Sequence, residues 1–104
     1  MENIREITPE EVEQQLKEGK KLNLIDVRED DEVAQGMIPQ AKHIKMGEIP
    51  DNLDQLDKNE DYVIICRSGG RSGRVSEFLQ EQGYKVQNMV GGMLEYIGET
   101  KPKE

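Results

Sequence analysis

The sequence predicts an α/β fold with a mainly parallel sheet, on the basis of three observations. Apolar, strand-like runs alternate with segments of helical periodicity, as they do in folds built from strand–helix–strand units. The runs at 22–27 and 62–65 are apolar almost throughout, which is typical of central parallel strands covered on both faces. With 104 residues, the chain is long enough for one hydrophobic core. We therefore expect a single domain over residues 1–104, with its core at about 4–97 and a charged tail at 98–104.

The first part of the chain carries clear start and stop signals for its elements. Residues 4–7 predict a short edge strand. Thr8, Pro9 and Glu11 are the signature of a helix start, because the threonine caps the helix and the glutamate completes a capping box. Gly19 then ends this helix before the first central strand.

The remaining elements follow from the same kinds of signal. The middle of the chain predicts a short acidic helix at 30–35, an extended segment from Ile38, a short strand at 43–45 and helical turns between 50 and 58. The last part predicts a strand at 62–65, a helix that ends before Gly83, a strand at 84–90, a short helix at 93–97 and a frayed tail. Strands and helices therefore alternate to the end of the chain.

The stretch from Tyr62 to Ser76, YVIICRSGGRSGRVS, predicts a strand, a tight loop and a helix, with the only cysteine between strand and loop. The first N–H groups of a helix have no partner within it and carry partial positive charge. The glycines of the loop can turn their own N–H groups inward. Loop and helix start are therefore expected to form a cradle of donors for an anion. Three arginines lie beside this cradle: Arg67, Arg71 and Arg74.

Cys66 stands at the base of the predicted cradle. Helix N-termini and nearby arginines lower the pKa of a thiol from about 8.5 to roughly 3.5–7.5, so we expect Cys66 to be largely thiolate at neutral pH. A thiolate that faces anion-binding donors indicates a nucleophile that attacks an anionic substrate. A lone cysteine is more often a buried structural residue, but the adjoining RSGGRS favours chemistry at this position.

Four short segments together match one family pattern. They are CRSGGRS at 66–72, LIDVRE at 24–29, GMIPQA at 36–41 and GGMLEY at 91–96. They resemble the active-site loop, the Asp-Val-Arg strand end, the Gly-His-Ile-Pro-Gly-Ala segment and the Gly-Gly turn of the rhodanese family of sulfurtransferases. The segments lie in the family's order, and the resemblance covers nearly the whole chain.

The resemblance implies a five-stranded sheet with helices on both faces and a sulfur-transfer reaction that needs no cofactor. It implies that Cys66 is the catalytic nucleophile, which takes the outer sulfur of a donor such as thiosulfate as a persulfide and passes it to cyanide or a thiol. The implied substrate-binding residues are those of the loop: Arg67, Ser68, Gly69, Gly70, Arg71 and Ser72. The chain departs from the family pattern at Met37 and Gln40, where a histidine and a glycine are usual, and at Tyr96, where a tryptophan is common.

Asp26 and Arg28 follow the first central strand at its C-terminal end, the edge at which ligands bind in open α/β sheets. The resemblance implies that both support the site from behind the loop. For Arg28, an ion pair that braces the turn is favoured over a place in the wall of the pocket. His43, the only histidine, is expected to lie on the surface, because nothing in the sequence places it near Cys66.

Two other functions stay open at this point. Cysteine phosphatases and arsenate reductases also place a cysteine in a loop of N–H groups with a closing arginine, but their relatives of this fold have five residues between the two. Only four residues separate Cys66 from Arg71, and the narrower loop favours sulfur. The second alternative is a carrier that accepts sulfur from a desulfurase or another sulfur-relay protein and hands it on.

The composition limits the classes of partner. The formal net charge of −8 argues against nucleic acid and anionic membranes. No apolar run approaches the roughly 20 residues that a membrane helix needs, and the N-terminal MENIREI lacks the form of a signal peptide, so a cytoplasmic location is expected. One cysteine and one histidine cannot build a Cys/His zinc cluster, and no metal is expected. The expected partners are a small anionic sulfur donor and a thiol or cyanide acceptor.

Overall fold

The computed structural model describes residues 3–103, and a single parallel sheet of five strands forms its centre. The strands are β1 (Arg5–Ile7), β2 (Asn23–Asp26), β3 (Lys42–His43), β4 (Asp61–Ile65) and β5 (Lys85–Met89). Their order across the sheet is β1-β5-β4-β2-β3, and every neighbouring pair is parallel. The predicted α/β fold with a five-stranded parallel sheet is therefore confirmed.

Three α-helices and three short 3₁₀ segments connect the strands. The helices are α1 (Pro9–Lys17), α2 (Asp30–Ala34) and α3 (Gly70–Glu81), and the 3₁₀ segments are Met46–Glu48, Pro50–Gln55 and Gly92–Glu95. The capping box predicted at the start of α1 is present, because Thr8 Oγ accepts the Glu11 N–H and Glu11 Oε1 accepts the Thr8 N–H, both at 3.0 Å. None of the helices within residues 3–103 is long and apolar enough to cross a membrane.

The alternation of side chains along the central strands divides the core into two clusters. One cluster lies on the α3 face of the sheet and contains Ile25, Ile64, Val86, Val75, Leu79 and Cys66 among others. The other contains Leu24, Val63, Ile65 and Met89 with Val12 of α1, and the 3₁₀ segment Gly92–Glu95 packs against it through Met93. Both faces of the sheet are covered, which explains why Leu24 and Ile25 of β2 and residues 63–65 of β4 are apolar.

Two expectations about shorter elements are corrected by the structure. The short strand predicted at 43–45 lies at Lys42–His43, in register with Ile25 and Asp26 of β2. The short helix predicted at 93–97 is the 3₁₀ segment Gly92–Glu95, and the helical turns predicted between 50 and 58 form the 3₁₀ segment Pro50–Gln55. Short segments of this kind take their form from the neighbouring packing, which periodicity alone does not show.

The tail, which we expected to be frayed, is paired in the structure. The backbone of Lys101 exchanges two hydrogen bonds with Met37, each of 2.8 Å, in an isolated antiparallel bridge. The Lys103 N–H donates to Val33 O at 3.0 Å. The partners lie more than sixty residues away in the sequence, so no local signal in the tail indicates this pairing.

Leu79 of α3 is fully buried in the core cluster on its face of the sheet. We expect Leu79→Ala to lower the free energy of unfolding by about 2–5 kcal/mol, because the substitution removes buried apolar contacts and leaves a cavity. Leu94→Ala is the matched control and should change the free energy of unfolding by no more than about 0.5 kcal/mol, because Leu94 is exposed. Urea denaturation measures both values, and equal losses in the two variants would contradict this account of the core.

Candidate active site

The candidate site is the loop between β4 and α3, at the carboxyl edge of the sheet. Cys66 follows the last residue of β4, and α3 begins at Gly70 with Gly69 as its N-cap residue. Gly69 has a φ of +103°, and a Cβ at this position would approach the backbone N of Gly91 to 3.2 Å. Only glycine meets both conditions without strain, so the tight turn between thiol and helix depends on it.

The Cys66 sulfur faces the loop although its side chain is only 1% exposed. The Gly69 N–H donates to Sγ at 3.0 Å, and the Ser72 hydroxyl lies 3.2 Å from Sγ. The thiol is therefore buried at the floor of the loop, with the glycine turn directed toward it. An apolar cluster lies behind the sulfur and hydrogen-bond donors lie in front of it.

The surroundings of Cys66 act on its pKa in opposite directions. Burial raises the pKa, whereas hydrogen bonds from the Ser72 hydroxyl and from the N–H groups of Ser72, Gly69 and Ser68 lower it. The hydrogen bonds prevail, and the pKa of the thiol lies below its ordinary value. The direction agrees with the expectation from the sequence, because hydrogen bonds to the charged form favour ionisation.

A turn from the other end of the chain holds the loop in this orientation. The Met93 N–H donates to Cys66 O at 2.9 Å, and the Leu94 N–H donates to Arg67 O at 3.0 Å. In a planar trans peptide the C=O and the following N–H point in opposite directions. With its two carbonyls bound outside, the loop presents the next N–H groups, including that of Ser68, to its inner side.

The three arginines of the motif have different surroundings. Arg71 forms a bidentate ion pair with Glu32 of α2, at 2.7 and 2.8 Å, and is half-buried. Its pKa is raised first by its hydrogen bonds to Glu32, against the effect of burial, and further by the charges of Glu32 and Cys66. Arg67 and Arg74 are exposed, and within residues 3–103 neither forms an ion pair. The Glu32 carboxylate thus offsets the charge of one of the three arginines, Arg71.

Asp26 and Arg28 form a buried ion pair behind the site. Arg28 Nη2 donates to Asp26 Oδ2 at 2.8 Å and to Gly36 O at 2.8 Å, and Arg28 Nε donates to Asp26 Oδ1 at 3.0 Å. The bracing ion pair favoured from the sequence is therefore present. Arg28 also borders the cavity described next, so it contributes to both the turn and the wall.

An open cavity of about 530 Å³ lies beside the start of the loop, where Arg67 borders it. Its full lining is Arg28, Glu32, Gln35, Gly36, Arg67, Met93, Leu94, Tyr96 and Thr100. Tyr96, where a tryptophan is common in the family, thus borders the cavity as well as packing against the core. Arg67 forms no ion pair with the other described residues, so its guanidinium adds positive charge to the wall of this cavity.

His43 lies away from the loop, on edge strand β3, with β2 between it and β4. It is half-buried on this edge, where its Nε2–H donates to Arg28 O at 2.7 Å and its Nδ1 accepts from Lys103 Nζ at 2.9 Å. Within residues 3–103, no group of three or more His, Cys, Asp or Glu side chains is arranged to hold a metal ion.

The sequence reasoning missed two residues that the structure brings to the site. Glu32 belongs to the predicted acidic helix, but nothing in the sequence pairs it with Arg71, which lies 39 positions away. Asn88 of β5 reaches the loop, where its Oδ1 lies 2.5 Å from Ser72 Oγ and its Nδ2 donates to Gly69 O at 3.1 Å. No signal in the sequence singles out Asn88, because Lys85 and Gln87 on the same strand are polar as well.

Fold and site together define a class of α/β proteins in which a cysteine is held in a short anion-binding loop after a central strand. A family model described as Rhodanese-like domain matches residues 8–99. The chain belongs to this family, as the resemblance in its sequence implied.

Relatives of known sequence and structure agree with this assignment. A Bacillus subtilis protein named "Putative sulfurtransferase YtwF" is 54% identical over 100 residues, which cover 96% of this chain and 97% of that protein. An Allochromatium vinosum protein named "Sulfurtransferase" is 39% identical over 100 residues, covering 95% and 94%. The crystal structure of a rhodanese-like domain protein from Staphylococcus aureus matches with a TM-score of 0.91 and 42% identity over 97% of this chain and 100% of that one. These similarities identify the chain as a transferase of the rhodanese family.

Gly92 allows the closest contact between the turn and the loop. It has a φ of +59°, and a Cβ here would overlap the backbone carbonyls of Arg67 and Cys66. We expect Gly92→Ala to lower the free energy of unfolding by at least about 2 kcal/mol, because it combines left-handed strain with a backbone clash. The same variant should raise the pKa of Cys66, since the loop loses its orientation.

Gly47→Ala is the matched control for Gly92→Ala, because nothing lies within 4 Å of a Cβ at position 47. Urea denaturation gives the stabilities, and the pH dependence of thiol alkylation gives the pKa of Cys66. A Gly92→Ala protein as stable as Gly47→Ala, with an unchanged thiol pKa, would contradict the proposed dependence of the loop on this turn.

The ion pair between Glu32 and Arg71 predicts a pH-dependent contribution to stability. The hydrogen bonds from Arg71 lower the pKa of Glu32 to about 2, against the effect of burial. Because the folded pKa lies below the unfolded value, the contribution is complete above about pH 4.5 and is lost as the pH falls toward 2. Glu32→Gln should therefore be less stable than the wild type at pH 7, by about 1 kcal/mol, and the difference should shrink on acidification.

Glu81→Gln, which changes an exposed carboxylate at the other end of α3, is the matched control. Urea denaturation at several pH values between 7 and 2 measures the stability of all three proteins. A Glu32→Gln deficit that stays constant down to pH 2 would show that the ion pair is not its source.

Proposed function

We propose that the protein transfers sulfane sulfur through a persulfide formed on Cys66. The observation that carries the proposal is the set of donors on one side of a buried sulfur, with the Gly69 N–H at 3.0 Å and the Ser72 hydroxyl at 3.2 Å. These donors stabilise a thiolate, which is the nucleophilic form of cysteine. The same face of the loop can then bind the outer, negatively charged sulfur of the persulfide.

The first half-reaction moves one sulfur atom from donor to enzyme. With thiosulfate as donor, the Cys66 thiolate attacks the outer sulfur, a new S–S bond forms, and the bond between that sulfur and the sulfite sulfur breaks. The electron pair of the broken bond leaves with sulfite, and the enzyme keeps a persulfide with a negative outer sulfur. No proton moves in this step, so no general base is required once the thiol is ionised.

The second half-reaction returns the enzyme to its thiolate form. An acceptor such as cyanide or a thiolate attacks the outer sulfur and forms a bond to it, while the S–S bond to Cys66 breaks. The electron pair of that bond stays on Cys66, which the donors of the loop stabilise as the leaving group. Donor and acceptor therefore react in turn, which predicts ping-pong kinetics.

The charged residues at the site have separate parts in this proposal. Arg67, exposed at the mouth of the cavity, attracts the anionic donor and stabilises the departing sulfite. Arg71 shares its charge with Glu32, so its attraction for the donor is weaker than its position in the motif suggests. Asp26 and Arg28 brace the neighbouring turn and the cavity wall.

Two observations favour sulfur over phosphate or arsenate as the group transferred. Four residues separate Cys66 from Arg71, which gives a narrow ring of donors. In addition, only 1% of Cys66 is exposed, so there is little room above the sulfur. A donor that presents one protruding sulfur fits this opening better than a tetrahedral oxyanion, which must place several oxygens around the thiolate.

A role as a sulfur carrier between proteins is the second candidate, and the surface beside the cavity favours it. Leu94 is 61% exposed and lines the mouth of the cavity, and Ile97 is 81% exposed three residues further on. Exposed apolar side chains next to a reactive group are typical of a surface that another protein covers. Such a partner would be a desulfurase or another protein of a sulfur relay.

The proposal predicts that the protein gains the mass of one sulfur atom when it is mixed with thiosulfate. Intact-mass spectrometry measures the gain, and a following addition of cyanide should remove it and release thiocyanate. Cys66→Ala is the matched control and should gain no mass. No gain in the wild type from thiosulfate or any other sulfane donor, or a gain that persists in Cys66→Ala, would end this proposal.

The same preparation separates the alternatives. Persulfide loading from a cysteine desulfurase that is much faster than loading from thiosulfate would favour the carrier. Loading from thiosulfate followed by rapid transfer to cyanide or a small thiol would favour the free-standing enzyme. Turnover of an aryl phosphate by the wild type, lost in Cys66→Ala, would favour a phosphatase instead.

A further inference from the structure

We propose that Asn88 is a positioning residue that competes with Cys66 for the single hydroxyl hydrogen of Ser72. The side chain of Asn88 forms hydrogen bonds with Ser72 and Gly69, so it acts on the sulfur of Cys66 through the serine. Its importance for sulfur transfer rests on the proposed function, whereas its effect on the thiol does not.

The three side chains form one hydrogen-bonded row across the floor of the site. Ser72 Oγ lies 3.2 Å from Cys66 Sγ and 2.5 Å from Asn88 Oδ1. The other end of the amide is held, because Asn88 Nδ2 donates to Gly69 O at 3.1 Å. This bond fixes the orientation of the amide, so its oxygen, which only accepts, is directed at the serine. Asn88 is 8% exposed and Ser72 is fully buried, so water does not readily replace either partner.

A serine hydroxyl has one hydrogen to donate, and here it has two acceptors within reach. When Cys66 is a neutral thiol, its S–H can donate to Ser72 Oγ while the Ser72 O–H donates to Asn88 Oδ1, and all three groups are paired. When Cys66 is a thiolate, the Ser72 O–H turns to Sγ, and Asn88 Oδ1 loses its donor. Asn88 therefore stabilises the neutral form of the thiol at the expense of the thiolate.

The acceptor that receives the Ser72 hydrogen changes during the proposed reaction. In the persulfide, the negative charge lies on the outer sulfur, about 2.05 Å from Sγ, and Sγ becomes a weak acceptor. The Ser72 hydrogen then returns to Asn88, so the hydroxyl turns once in each half-reaction. Asn88 thus favours the persulfide relative to the thiolate.

Charged groups near the loop act alongside this row, and the experiment must leave them unchanged. Arg71 of α3 lies close enough to the sulfur for their charges to interact, and Glu32 of α2 is paired with it. Arg67 lies next to Cys66 in the loop, and the Asp26–Arg28 pair follows the neighbouring strand β2. From β5, Asn88 contributes a neutral amide to the row, so its replacement alters no charge.

The test is the pH dependence of Cys66 alkylation by iodoacetamide in the full chain. Four proteins are compared: the wild type, Asn88→Ala, Ser72→Ala and the double variant. Asn88→Ala should lower the apparent pKa of the thiol by about half a unit to one unit, because the thiolate gains the hydrogen without competition. Ser72→Ala should raise it. In the Ser72→Ala background, Asn88→Ala should no longer lower the pKa.

The sign of the change separates competition from simple bracing of the loop. If Asn88 only held Gly69 in place, its removal would weaken the Gly69 N–H bond to Sγ, and the pKa would rise or stay constant; either result overturns the proposal. A lowering of equal size in the Ser72→Ala background also overturns it. Asn88→Val, which removes the same oxygen and suits a β-strand, replaces Asn88→Ala if that variant does not fold.

Gln87→Ala is the matched control, since Gln87 is the neighbour of Asn88 on β5 and takes no part in the row. Its thiol pKa should equal that of the wild type. The alkylation experiment uses no sulfur donor, so its outcome is independent of sulfur uptake. A protein that accepts no sulfur but shows the predicted pKa changes would overturn the proposed function and leave the role of Asn88 standing.

Discussion

The constraint on which the site depends is the contact between two backbone segments far apart in the sequence. The carbonyls of Cys66 and Arg67 accept the N–H groups of Met93 and Leu94, and Gly92 lies against them with no room for a side chain. With those carbonyls bound outside, the loop has its N–H groups free on the inner side, where the sulfur lies. The inward direction of these N–H groups is thus imposed by the turn that follows β5, and is not a property of the loop's glycines alone.

Charged side chains around the loop add to the arrangement of the backbone N–H groups. The chain carries a net charge of −8, yet Arg67 in the cavity wall forms no ion pair within residues 3–103, so the charge is locally reversed in sign. Glu32 limits the reversal by pairing with Arg71. The buried Asp26–Arg28 pair adds no net charge and ties the neighbouring turn to Gly36 O. The sequence does not distinguish these arginines, but their partners differ: Arg71 pairs with Glu32, and Arg28 pairs with Asp26.

Local signals predict much of this molecule, and contacts between distant residues account for what they miss. The capping box at Thr8, the apolar runs of β2 and β4 and the strand–loop–helix at Cys66 each depend on neighbouring residues, and each was predictable. The pairing of Glu32 with Arg71, the reach of Asn88 to Ser72 and the bridge from Met37 to Lys101 join residues from 16 to more than sixty positions apart. Periodicity and capping carry no information about such pairs, so the strand–loop–helix that holds Cys66 was predictable while the side-chain contacts around it were not.

The near-complete burial of Cys66 also bears on oxidative damage. A thiolate is the form of cysteine that peroxides convert to sulfenic acid and then, irreversibly, to sulfinic and sulfonic acids. The chain has no second cysteine to trap the sulfenic acid as a disulfide, so rescue depends on a thiol from another molecule. With 1% of the residue accessible, the fold restricts which oxidants reach the sulfur. The burial of Cys66 thereby limits the irreversible loss of the one thiol in the chain.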